Sequence, residues 1–199
     1  MESVGFKEWA VVCEALGRGE QTIILRKGGI AEGREGFSFR HREFFLFPTF
    51  FHEQVEKVRG ERRELPQPQA GEIAIDFAAK VELTATITSL ETALALEPFH
   101  ILQPEVVRER FAYDEAPGIH VAFVRVYRLA QVWRFPDERR YGGCRSWVQL
   151  PELPRDAAVT EPVSSDSEHS ARMQALREIV GAKLDLPATV AGALGSTGF

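Results

Sequence analysis

Two rhythms of apolar and polar positions run along the chain, and they divide most of it into short helices and strands. Phe6, Trp9, Ala10, Cys13 and Leu16 recur at helical spacing, which predicts an amphipathic helix over residues 5–16 stopped by Gly17. A β-branched strand from Gln21 to Arg26 follows and ends at the Gly28-Gly29 break. Residues 37–47 are aromatic and interrupted by charge, and Pro48, with no amide proton for a ladder, is expected to end any strand there. Thr49 is then placed to cap a short helix through His52 to Val58, with Glu53 in its first turn. Residues 59–71 carry charge and two prolines and read as an exposed loop.

Ile73, Ile75 and Phe77 alternate with other residues, as do Val81, Leu83, Ala85 and Ile87, predicting one long bent strand or two short ones. Residues 89–96 and 104–111 are helical in spacing, the second opening on Pro104 at a position that suits proline. Residues 119–129, IHVAFVRVYRL, are apolar on both faces, the mark of a central strand. After Leu150 the chain turns polar and proline-containing, which reads as a linker, then one helix over about 167–184 carrying Met173, Leu176, Ile179 and Val180, then a flexible tail. No internal repeat is visible. The prediction is an α+β fold in which an N-terminal helix packs on a bent antiparallel sheet or small open β-barrel with short interleaved helices. Residues 1–150 form its single domain, and 151–199 hold the linker, a C-terminal helix and the tail.

Composition fits a globular chain: 44% apolar, 27% charged, with 14 Phe to build a ring-rich core. A net charge of -5 argues against coating nucleic acid by bulk charge, although local basic patches remain open. Cys13 and Cys144 lie far apart, and the start MESVGFKEWA lacks the basic and apolar regions of a secretion signal, so reduced thiols in the cytoplasm are expected. No apolar run approaches the roughly 18 residues that cross a bilayer, so no membrane partner is expected.

Several chemistries lack their motifs. Neither a phosphate-cradling glycine loop nor a Cys-x-x-Cys or His-Glu-x-x-His pair occurs, so neither a cofactor nor a metal is expected. Magnesium nucleases commonly use Glu-x-Lys, but the residues two before Lys7, Lys27, Lys57, Lys80 and Lys183 are Gly5, Leu25, Val55, Ala78 and Gly181.

Three stretches hold candidate chemistry. In HREFFLFPTFFHE, residues 41–53, His41 and Glu43 would share one side of a strand, with His52 brought near by a turn at Pro48. That set suits acid-base or metal chemistry; a solvated pair at a strand end beside a capping histidine suits the same string. Arg26-Lys27-Gly28-Gly29 joins a strand end to a flexible turn, where amides and two cations can meet an anion, as ordinary hairpin ends also do. In residues 134–150, Arg134, Arg139, Arg140 and Arg145 interleave with Phe135, Tyr141 and Trp147, and six arginines from Arg125 to Arg145 face only Asp137 and Glu138. Arginines with rings hold nucleic-acid backbone and stack bases; core rings with snorkelling arginines give the same pattern. Cys144, after Gly142-Gly143, would be a nucleophile only with His100 or His120 beside it.

The blocks KEWAVVCEALGRGEQTIILRKGGI, FLFPTFFHE, LEPFHI, RVYRL and YGGCRSWVQL resemble, in order over residues 5–150, the signature blocks of the bacterial domain of unknown function 1802 family. The resemblance implies no established activity. Some members are associated with a domain similar to restriction endonucleases, which implies a link to restriction-modification in which cutting falls to a separate nuclease subunit. Glu8, Trp9, Arg26, Lys27, Gly28, Gly29, Pro48, Thr49, His52, His100, Tyr141, Gly143, Cys144 and Trp147 match these blocks and are candidates for a shared site.

Three functions stay open: a non-catalytic module or adaptor binding DNA or RNA, a hydrolase-type enzyme using His41, Glu43, His52 and His100, or a protein-interaction subunit with no small ligand.

Overall fold

A computed structural model of the chain describes residues 2–27, 37–60, 70–114 and 116–181. The fold is α+β: strands β1 (Val4–Trp9), β2 (Ile23–Arg26), β3 (Glu43–Thr49), β4 (Glu72–Ile87), β5 (Ile119–Pro136), β6 (Trp147–Gln149) and β7 (Val159–Pro162) form one open sheet. Helices α1 (Ala10–Gly17), α2 (Leu90–Ala95), α3 (Pro104–Phe111) and α4 (Asp166–Val180) join the strands or pack on the sheet. The order is β2-β5-β4-β3-β1-β6, and β7 lies beyond β2 on the same outer edge of β5.

The sheet departs from the expected antiparallel one at a single pair. β1 and β3 run parallel, Phe6 opposite Leu46 and Trp9 opposite Thr49, while every other pair among the described strands is antiparallel. A parallel pair needs a long crossover, and α1 with β2 supplies it. The predicted N-terminal helix is therefore half strand. β1 is buried along nearly its whole length, so Phe6 and Trp9 mimic a helical stripe, and the helix begins only at Ala10.

Pro48 does not end its strand either. The Arg42 carbonyl accepts from the Val81 amide, so alternate residues up to Pro48 face the β4 side. β4 pairs with β3 only through Phe45, and the amide that Pro48 lacks would meet no ladder. Thr49 caps nothing: its hydroxyl donates to the Glu8 carbonyl at 3.0 Å, and the 3-10 turn His52–Val55 follows Phe51 without a side-chain cap.

Two cores lie on the sheet's two faces. β3 alternates between them, Phe44 and Leu46 facing one, Phe45 and Phe47 the other. The larger core takes apolar residues from all four helices, including Leu176 and Val180 of α4. The smaller is built from strands and turns around Trp133, Phe135 and Tyr141. β4 and β5 run past both, with register shifts between Ile75 and Phe77 and between Val81 and Leu83 that bend the sheet. α1 ends where Gly17 meets the Phe77 ring, since a Cβ there would sit 2.2 Å from ring carbons.

Local signals fix the other helices. Ser89 accepts from the Thr92 amide to start α2, Pro104 opens α3, and Ser165 with Glu168 forms a capping box for α4. His169 in α4 sits 2.7 Å from a Glu82 oxygen and packs on Phe123. No helix among the described residues is long and apolar enough to cross a membrane.

A candidate nucleic-acid interface

β1, β2 and α3 end near one another, and their ends enclose a hollow of about 250 Å³ whose walls are cationic and aromatic. Arg110 lies on the buried stripe of α3, four residues after Val106, so its guanidinium is carried against the sheet edge. It lies 4.7 Å from the Trp9 ring centre, donates to the Leu25 carbonyl at 2.7 Å, and sits 3.8 Å from a Glu8 carboxylate oxygen. Burial pushes the Arg110 pKa down and Glu8 pushes it back up; an arginine so held remains a cation.

Arg26 reaches the same hollow from the end of β2. Its guanidinium donates to Ser146 Oγ through two nitrogens and lies 5.4 Å from the Phe6 ring centre. Lys27 pairs with Asp114 at 2.9 Å and also donates to the Ala116 carbonyl. Lys57 lies on the turn after the 3-10 segment, and its ammonium makes no side-chain hydrogen bond or ion pair among the described residues. Tyr113, 64% exposed, forms the rim. The lining thus holds four cations against one carboxylate, Glu109, in a chain of net charge -5.

A separate, wider hollow of about 620 Å³ lies against the smaller core, between Phe47–Phe50, the start of β4 and the turn from Asp137 to Gly142. Lys7 is 7% exposed there and donates to the Gly143 carbonyl at 3.0 Å. Its pKa is lowered, first by burial and then by the nearby Arg145. Tyr141 is wall rather than rim: its ring packs 5.6 Å from both Phe47 and Phe135, and its hydroxyl accepts from Arg140 at 2.9 Å.

The Domain of unknown function (DUF1802) family matches residues 5–175. The chain belongs to the DUF1802 family. The match runs beyond the sequence blocks ending at Leu150, through β7 and into α4, so the family pattern includes the segment that reads as a linker in sequence. No curated protein matches the chain. Among solved structures it is similar to the crystal structure of ASCH from Zymomonas mobilis, with 11% identity, TM-score 0.45, and coverage of 87% of this chain and 94% of that one. Two substituted forms of that protein give TM-scores of 0.47 and 0.46 at 10% and 12% identity, covering 87% and 88% of this chain and 94% and 99% of theirs.

The DUF1802 chain gathers some sequence candidates and scatters others. Arg26, Lys27, Trp9 and Cys144 line the narrow hollow, with Glu8 behind Arg110. Pro48, Thr49, Arg139 and Tyr141 line the wide one. Gly142 faces the wide hollow while Cys144 and Ser146 face the narrow one, so Gly143 and Arg145 lie on the segment between them. Gly28 and Gly29 fall outside the described residues. Arg134 projects from β5 opposite Ala74 and acts on the Asp76 carboxyl, away from both hollows. Trp147 packs its ring 4.8 Å from Phe6, 5.2 Å from Phe44 and 4.9 Å from His41, so the accessible rings at the narrow hollow are Trp9 and Tyr113 instead.

The four acid-base candidates lie apart. His41 sits 3.2 Å from Glu2, and Glu43 opens β3 opposite Lys80, whereas His52 follows the far end of that strand, about 20 Å away at strand rise. His100 is buried, its Nδ1 accepting from the Leu102 amide, and its pKa falls to about 3 through burial and then the fields of Arg59 and Arg110. No histidine lines either hollow, so none stands beside Cys144, and His120 is instead engaged with Thr86 and Phe37. Among the described residues no three His, Cys, Asp or Glu side chains cluster closely enough to hold a metal ion.

Four residues of the narrow hollow, Lys57, Arg110, Tyr113 and Ser146, escape a reading by motif. Arg110 alone leaves a signal, because it breaks the apolar stripe of Val106, Val107 and Phe111 from inside.

Proposed function

We propose that this DUF1802 chain is a non-catalytic module that binds single-stranded nucleic acid, seating a phosphodiester and an adjoining base in the narrow hollow. The observation that carries this reading is the convergence of Arg26, Lys27, Lys57 and Arg110 with the rings of Trp9 and Tyr113 at one concave edge of an acidic chain. Cations beside accessible rings suit a strand whose bases are free to stack, and a hollow of about 250 Å³ takes one such unit rather than a duplex groove. The negative charge elsewhere confines contact to this patch.

Two of the cations are compensated, Arg110 by Glu8 and Lys27 by Asp114, which leaves Arg26 and Lys57 to displace counterions. Two phosphate contacts on a single strand give log affinity a slope of about -1.4 against log salt. Any cutting of the bound strand belongs in this reading to a separate nuclease subunit, and the setting is cytoplasmic. The test is fluorescence anisotropy with single- and double-stranded DNA and RNA between about 50 and 200 mM salt. Single strands are expected to bind more tightly with that slope; salt-insensitive binding, or none for any nucleic acid, overturns the reading.

A further inference from the structure

The wide hollow holds a cation and an anion that do not meet. Lys7 lies opposite Phe47 in the parallel register and shares its face of the sheet, and it lines this hollow and not the narrow one. Its Nζ stands 3.0 Å from the carbonyl of Gly143, next to Gly142 of the hollow's wall, and 6.0 Å from the centre of the Phe47 ring, a second wall. That carbonyl takes one of three ammonium protons; among the described residues no other acceptor and no carboxylate comes within bonding distance. A buried ammonium left in that state is costly until an anion arrives. The Asp137 carboxylate is exposed on the same lining and makes no hydrogen bond or ion pair among the described residues, yet its field reaches Lys7. Glu138 beside it is taken up by Arg140 at 3.2 Å.

We propose that the wide hollow binds a free aromatic amino acid, its carboxylate on Lys7, its ammonium on Asp137 and its ring against Phe47, Pro48 and Phe50. The proposal goes beyond the nucleic-acid reading and does not depend on it, since the two hollows lie against different cores. A simple anion satisfies Lys7 but is repelled by Asp137, and an amine alone leaves Lys7 unmatched. A zwitterion with its charges on neighbouring atoms answers both, and only a free amino acid carries them that close, because a peptide bond removes one or the other. Flat apolar walls favour a ring over a branched or polar side chain, and about 620 Å³ is the size of a small-ligand site.

The experiment titrates the full chain with phenylalanine, with phenylpropionate, which lacks the ammonium, and with phenethylamine, which lacks the carboxylate, and follows backbone amide resonances. Phenylalanine is expected to give saturable shifts at residues 70–73 and 137–142. Lys7→Met removes the charge and keeps the bulk, and it is expected to lower phenylalanine affinity about tenfold to hundredfold, the scale of a hydrogen bond to a charged group. Phenethylamine is expected to bind more weakly than phenylalanine by a similar factor, and it serves as the readout if the Lys7 variant fails to fold. Phenylpropionate is expected to bind about twofold to fivefold more weakly than phenylalanine, the scale of an exposed ion pair, and Asp137→Asn is expected to erase that difference. No saturable shift, phenethylamine binding as tight as that of phenylalanine, or full affinity in Lys7→Met overturns the site. A preference over phenylpropionate that is missing in the parent, or that survives Asp137→Asn, overturns the amino-acid assignment. None of these outcomes uses a nucleic acid, so either reading can fail without the other.

Discussion

Arg26 donates two hydrogen bonds to Ser146 Oγ, at 3.2 and 3.1 Å, across 120 positions of sequence. A hydroxyl on the segment beside β1 thereby aims a cation at the end of β2 and costs it none of its charge. Arg26→Gln is expected to weaken single-strand binding for every sequence and to reduce the salt slope by about 0.7, the loss of one phosphate contact. Ser146→Ala leaves the charge but frees its direction by removing both hydrogen bonds to the shared hydroxyl, so affinity falls by about threefold to tenfold at an unchanged slope. Anisotropy titrations at several salt concentrations separate the two effects.

Glu8 is the buried counter-charge of the narrow hollow, 2% exposed and accepting from the Trp9 amide at 2.9 Å. Its removal leaves Arg110 largely buried with no carboxylate beside it. Glu8→Ala is expected to destabilise the fold by about 3–5 kcal/mol, the usual cost of breaking a buried pair from one side. Urea unfolding checks this, and a midpoint unchanged from the parent refutes it.

Gly17 ends α1 under the Phe77 ring, with no room for a methyl group. Gly17→Ala gains helix propensity on paper, yet it is expected to destabilise by about 1–3 kcal/mol through overpacking. Thermal unfolding of Gly17→Ala alone and with Phe77→Ala tests the cause, since removing the ring is expected to cancel most of the penalty.

His100 titrates at about 3 in the fold, below the ordinary value of 6.5, because burial and then Arg59 and Arg110 disfavour its charge. The unfolded chain binds this proton first as pH falls, so stability is whole above pH 6.5 and declines between 6.5 and about 3, by up to about 1.4 kcal/mol per pH unit. Urea unfolding as a function of pH is expected to show that slope in the parent. His100→Gln removes the His100 share of it, and identical slopes in the two proteins refute the assignment.

Element types were legible wherever one period dominated. Residues 104–111 coincide with α3, and Ile119 begins the strand that the apolar run announced, although β5 continues to Pro136 because its outer half alternates inward Trp133 and Phe135 with exposed residues. Residues 5–9 misled because a strand buried on both faces carries no period of two. Pro48 misled because its consequence depends on whether a neighbour strand is still present, which is a fact of topology. Arg26 and Lys27 were visible as a charged strand end, whereas Lys57 and Tyr113 resemble any solvated residues until α3 folds across the sheet edge. The arginine-rich stretch from Arg134 to Arg145 looked like one surface, but alternation along β5 and the turn at Tyr141 send its members in different directions.

Val4 at the start of β1 lies opposite Gln149 in β6, and Phe6 opposite Trp147. A ribosome emitting roughly 5–20 residues per second delivers β6 about 7 to 30 s after β1 has been made. Through that interval one of the most deeply buried strands of the protein is missing a neighbour, and its open edge is exposed to any other chain nearby. Because β3 takes the other edge of β1, holding this one until Trp147 arrives is a task for a chaperone, which makes the first strand synthesised among the last to be finished.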